Sequence, residues 1–180
     1  MKYAKLAGAL ALALIFACTA VAAEAASHPK RKDDASRSSK NGSLTATIDG
    51  VEMTLTYGRP KVKSRKVWGS LVSYGKIWRA GADEATAVTF AKDVKIDGKK
   101  LPAGSYALFV IPSKDKWTLV FNSVAEQWGA YSYDSKKDVL RVDVTPKENA
   151  HVEELTFVNT GKTVELQWEK LSAPFTVSKS

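Results

Sequence analysis

From Ser43 onward the chain alternates apolar and polar residues with a period of two, and this period leaves little choice of fold. Residues 44–48 and 51–57 alternate on either side of Asp49-Gly50, which supplies the two positive-φ positions of a tight type I′ turn. The first two strands are therefore expected to pair antiparallel. Alternation returns over 86–90, 94–96, 105–111, 116–122, 138–145, 151–158 and 163–169, and residues 174–177 read as a final edge strand. Turn residues separate these runs, and no amphipathic stretch is long enough for a crossover helix. The reading is all-β: an antiparallel β-sandwich of about nine or ten short strands. Its one long interruption is an irregular loop at about 58–83, punctuated by Pro60, Gly69, Gly75 and Gly81, with a short helix expected near 70–74. Residues 124–129 are the best candidate for a further helical turn.

The first forty residues read differently. Lys2 and Lys5 precede an apolar run over 6–17 and then small residues, the pattern of a secretory signal peptide over 1–25. The run is shorter than the roughly 20 residues that span a bilayer. Ala20-Val21-Ala22 and Ala23-Glu24-Ala25 are cleavage sites of the A-x-A kind, while Ile15-Phe16-Ala17-Cys18 is an imperfect lipoprotein box, so lipidation of Cys18 is a competing outcome. Cys18 is the one cysteine of the chain, so the domain at 43–180 has neither a disulfide nor a thiol nucleophile. Residues 26–42 hold no apolar residue larger than proline or alanine and read as a disordered basic linker. The expected location is the periplasm or the exterior, with a membrane reached only through a lipid on Cys18.

The formal charge of +8 suggests an anionic partner, but its placement matters more than its size. Arg59, Lys61, Lys63, Arg65 and Lys66 fall within eight residues that hold no acid. In an exported protein such a patch meets acidic glycans or envelope polymers rather than nucleic acid, or else is a solvated edge that discourages strand aggregation.

Several ordered motifs carry a family resemblance: Tyr57-Gly58-Arg59-Pro60, Val67-Trp68-Gly69, the run from Tyr74-Gly75 to Gly81-Ala82, Leu101-Pro102-Ala103-Gly104-Ser105-Tyr106, and Gln127-Trp128-Gly129-Ala130-Tyr131. Over about 43–177 the chain resembles a domain-of-unknown-function family of secreted bacterial proteins, number 2911. The resemblance implies no activity. Where that family has Gly-Ala-Asn-Glu this chain reads Gly81-Ala82-Asp83-Glu84, exchanging an amide for a second charge.

Tyr57, Arg59, Arg65, Trp68, Trp78, Arg79, Asp83 and Glu84 form the densest polar and aromatic group, in or beside the long loop. Indole faces stack on sugars and arginine forks grip carboxylates or phosphates, the equipment of a binding site. The plainer reading has Trp68 and Trp78 plugging the end of the sandwich while Arg79 pairs with Asp83 or Glu84. Trp128 and Tyr131 read either as a second wall of that site or as closure of the core. Asp83 and Glu84 invite a glycosidase reading, but neighbours on an extended chain point to opposite faces unless the loop twists. His151 and Glu153 share a strand face, and a lone domain histidine is poor evidence for a metal or a base. No residue set calls for a cofactor. The expectation is an exported non-catalytic binding or envelope-associated module whose ligand is a carbohydrate or anionic envelope polymer. A hydrolase using Asp83 and Glu84 and a purely structural envelope protein are the alternatives.

Overall fold

The computed structural model describes residue 31 and residues 33–180. The expected signal peptide and Cys18 lie outside the described residues. Ten strands follow: β1 (Lys40–Ile48), β2 (Val51–Arg59), β3 (Thr86–Phe90), β4 (Val94–Ile96), β5 (Lys99–Leu101), β6 (Gly104–Ile111), β7 (Trp117–Asn122), β8 (Asp138–Val144), β9 (Lys147–Thr160) and β10 (Thr163–Lys179). They form two antiparallel sheets, one of six strands in the order β1-β2-β3-β6-β7-β8 and one of four in the order β5-β4-β10-β9. The molecule is a β-sandwich.

The first hairpin forms as its turn dictates, with Ile48 opposite Val51 and both Asp49 and Gly50 at positive φ. Alternation then sorts the faces. Met53, Leu55, Val88, Phe90, Leu108 and Phe121 of the larger sheet are buried in one cluster with Ile96, Leu155, Phe157, Leu166, Phe175 and Val177 of the smaller. Strand β6 is apolar on both faces for a reason: Ala107 and Phe109 form a second cluster on its outer side, covered by Ile77, Ala130 and Tyr133.

Three local expectations differ from the structure. Residues 174–177 are not a separate edge strand but the end of β10, which lies between β4 and β9. Register shifts on either side of Glu169, itself at φ 56°, let one long strand pair first with β9 and later with β4. The strands are consequently not all short, β9 having 14 residues and β10 17. Neither 70–74 nor 124–129 is helical, and the described helical turns are 3₁₀ segments at Asp34–Ser36 and Ser135–Lys137.

Three exposed carboxylates are held below their ordinary range. For Asp49 the chief cause is the Lys179 amide, for Asp143 the Lys116 ammonium, and for Glu153 the Lys63 amide. A lowered value in the fold means that the unfolded chain takes up protons first on acidification. The stabilisation is complete above the unfolded values, about 4, and is lost as pH falls through the lower folded ones. Calorimetric midpoints are expected to stay level above about pH 5 and to decline below about pH 4. A midpoint unchanged to strong acid would show that these contacts contribute nothing.

Candidate functional site

Residues 60–85, between β2 and β3, fold across one end of the sandwich and are pinned at both of their ends. The Val62 amide donates to the Glu153 carbonyl at 2.8 Å and the Leu155 amide to the Pro60 carbonyl at 3.0 Å, which ties the start of the loop to β9. Lys63 and Ser64 then take left-handed φ values of 49° and 56°, and the Arg65 guanidinium bonds the Val62 and Lys61 carbonyls across that turn. Farther on, Trp78 exchanges two backbone hydrogen bonds of 2.8 Å with Val110 of β6. Ala80 and Asp83 are again left-handed, and Thr86 Oγ1 donates to the Ala80 carbonyl at 2.9 Å.

Tryptophan fills the space beneath. Trp68 is 6% exposed and lies 4.4 Å from Trp117, 5.7 Å from Trp78 and 5.8 Å from Trp168, measured between ring centroids. Trp78 stacks on Trp168 at 5.9 Å and is only half-buried. Trp68 therefore plugs the sandwich, while Trp78 and Trp168 form a wall of a pocket of about 300 Å³. The same pocket is lined by Lys61, Lys63, Arg65 and Arg79. Lys61 pairs with Glu154 at 3.1 Å, and Arg65 spends its donors on carbonyls. Arg79 is different: its Nε is buried without a hydrogen-bond partner among the described residues.

The expected Arg79 pairing with Asp83 or Glu84 does not occur, because two arginines from the N-terminal arm occupy those carboxylates. Arg37 reaches Asp83 at 3.2 Å and Glu84 by a closer, two-pronged contact, and Arg31 reaches Glu84 at 3.1 Å. Arg31 further donates to the carbonyls of Ala82, Glu84 and Ala85, and its Nε donates to Asn41. Both arginine side chains are 6% exposed. Burial lowers the Arg31 pKa, whereas the Glu84 hydrogen bond raises that of Arg37. The left-handed turn at Asp83 is the twist that an extended chain would lack, and it aims two neighbouring carboxylates at one guanidinium. Residues 31–42, expected as part of a disordered linker, thus lie on the domain where they are described, and β1 already begins at Lys40.

The other candidate residues separate. Tyr57 is 3% exposed, with its hydroxyl accepting from the Phe157 amide, so it joins the two sheets. Arg59 pairs with Glu154 at 2.9 Å. Trp128 and Tyr131 do not close the core: they are 52% and 87% exposed. Trp128 stands over a second hollow, of about 310 Å³, beside Arg37 and Asp83. His151 and Glu153 lie 3.3 Å apart and half-exposed. Sequence reading found Arg65, Trp78, Arg79 and Asp83 for the pocket but missed Ser38, Ser39 and Trp168, which line it from the arm and from β10. Nothing local in the sequence marks those three.

The family model described as protein of unknown function (DUF2911) matches residues 39–177. No curated protein and no solved structure matches the chain.

Proposed function

This chain belongs to the DUF2911 family of uncharacterised proteins, so its role has to be read from its own surface, and we propose that it is an exported, non-catalytic binding module whose pocket at Arg79 takes an anionic carbohydrate or envelope polymer. The observation that carries the reading is the unsatisfied Arg79 Nε in a pocket shared with Lys63 and Arg65, neither of which has a carboxylate partner among the described residues. A buried donor left without an acceptor costs about 1–3 kcal/mol, which a ligand carboxylate or phosphate would recover. The half-buried Trp78, backed by the buried Trp168, adds an apolar surface beside the charge.

Export rests on the leader-like residues 1–25, and the leader composition supports a periplasmic or extracellular site of action. Hydrolysis by Asp83 and Glu84 is the weaker reading, since both carboxylates already hold the arm's arginines and acid–base work would require the arm to leave.

Titration calorimetry of the full chain with polygalacturonate and with neutral dextran tests the proposal. Binding of the acidic polymer is expected, weakening with salt. Arg79→Ala should lower affinity about ten- to hundredfold, the worth of a charged hydrogen bond. If the acidic polymer fails to bind, or binds Arg79→Ala equally well, the assignment is wrong.

A further inference from the structure

The Arg79 pocket and the hollow at Trp128 are neighbours with a common divide. Ser38 and Asp83 line both. Each space, about 300 and 310 Å³, sits at the small end of single-ligand sites, and together they reach the middle of that range. Their chemistries differ. The inner space gathers the cations and the Trp78–Trp168 wall, while the outer one offers a half-exposed indole.

The backbone that carries that indole is anchored. A bridge pairs Glu84 with Trp128, the Gly129 amide donates to the Asp83 carbonyl at 3.0 Å, and the Ala85 amide donates to the Gln127 carbonyl at 2.9 Å. Trp128 is thus fixed by backbone to the very residues that the arm's arginines hold. An exposed indole on an anchored backbone costs apolar hydration without contributing to the core, and suits stacking on a ring. Ser38 lines both spaces, Ser39 the inner one and Ser36 the outer. Hydroxyls that both donate and accept match the edge of a sugar.

We propose that the two spaces form one groove with two subsites, and that its ligand is an acidic oligosaccharide with a carboxylate at Arg79 and an adjoining pyranose face on Trp128. This deepens the binding reading above and rests on it. A polyphosphate supplies the charge but no face to stack. Single-stranded nucleic acid supplies both, yet its binders line a basic track with successive aromatic rings; here Trp128 is the one aromatic residue lining the outer space, and an aspartate sits at the divide.

The test is a length series on the full chain: galacturonate, its dimer and its tetramer, by titration calorimetry at fixed ionic strength. Affinity is expected to rise at least tenfold from the monomer to the dimer or tetramer. Trp128→Ala should remove most of that gain, whereas Val139→Ala, on the exposed face of β8, should leave it intact. If the monomer binds through Arg79 but length adds nothing, or Trp128→Ala keeps the gain, the two-subsite groove is wrong and the Arg79 pocket stands. If neither monomer nor oligomer binds, both readings fail. Tighter binding of a single-stranded oligonucleotide of equal charge would overturn the saccharide assignment.

Discussion

Trp68→Ala is expected to lower the thermal midpoint of the chain by about 10 °C or more, the consequence of losing about 3–5 kcal/mol from a domain of this size. The indole lies at the centre of four tryptophans, with Trp78, Trp117 and Trp168 around it, and almost none of its surface meets water. Truncation would leave a void that neighbouring rings cannot fill without tilting, because Trp117 is fixed by a hydrogen bond from its Nε1 to the Ser113 carbonyl at 3.0 Å. Trp78 and Trp168, which wall the pocket, would lose their backing. The variant should therefore also weaken acidic ligands, and Trp68→Phe should recover much of both losses. A midpoint within about 2 °C of the parent would show that residues 60–85 merely drape over the sandwich end.

Arg31→Ala is expected to cost about 2 kcal/mol, by calorimetry or urea unfolding. Three backbone carbonyls and the Glu84 carboxylate lose a donor together. The figure stays at the low end for a covered ion pair because Glu84 retains 20% of its side-chain exposure. Arg31→Lys should restore little, since an ammonium cannot fork between Glu84 and the carbonyls at 82, 84 and 85. Pairing Arg31→Ala with Glu84→Gln should cost less than the separate losses added together, the mark of a direct interaction. Strict additivity would mean that the contact contributes nothing.

The sandwich was legible because strands such as β2, β8 and β10 bury one face, and a period of two records that directly. Asp49-Gly50 fixed the first hairpin to the residue. The C-terminal end was misread because the kink at Glu169 has no glycine or proline to announce it, and Pro174 looked like the start of something new. At the site, the cations and tryptophans of one segment were visible as a cluster, but their partners were not. Charge counting over residues 26–42 sees a solvated tail; it cannot see that Arg31 and Arg37 meet two carboxylates some fifty positions away. Trp128 left two readings open for a related reason. Aromatic residues in loops usually serve a core, and only the exposure of this one in the folded chain shows that it does not.

The path of β10 also dictates an order of assembly. Strands β4 and β5 form a short hairpin whose one other partner is the far end of β10, with Val177 opposite Ile96. As the ribosome releases the chain from its N-terminus, all six strands of the larger sheet are available before any of β9 or β10 has been made. Residues 94–96 then lack their hydrogen-bonded neighbour until residues 177–179 are made. Completion of the smaller sheet thus waits for residues 177–179, and a nascent chain stalled short of residue 174 would leave the β4–β5 hairpin without its neighbouring strand.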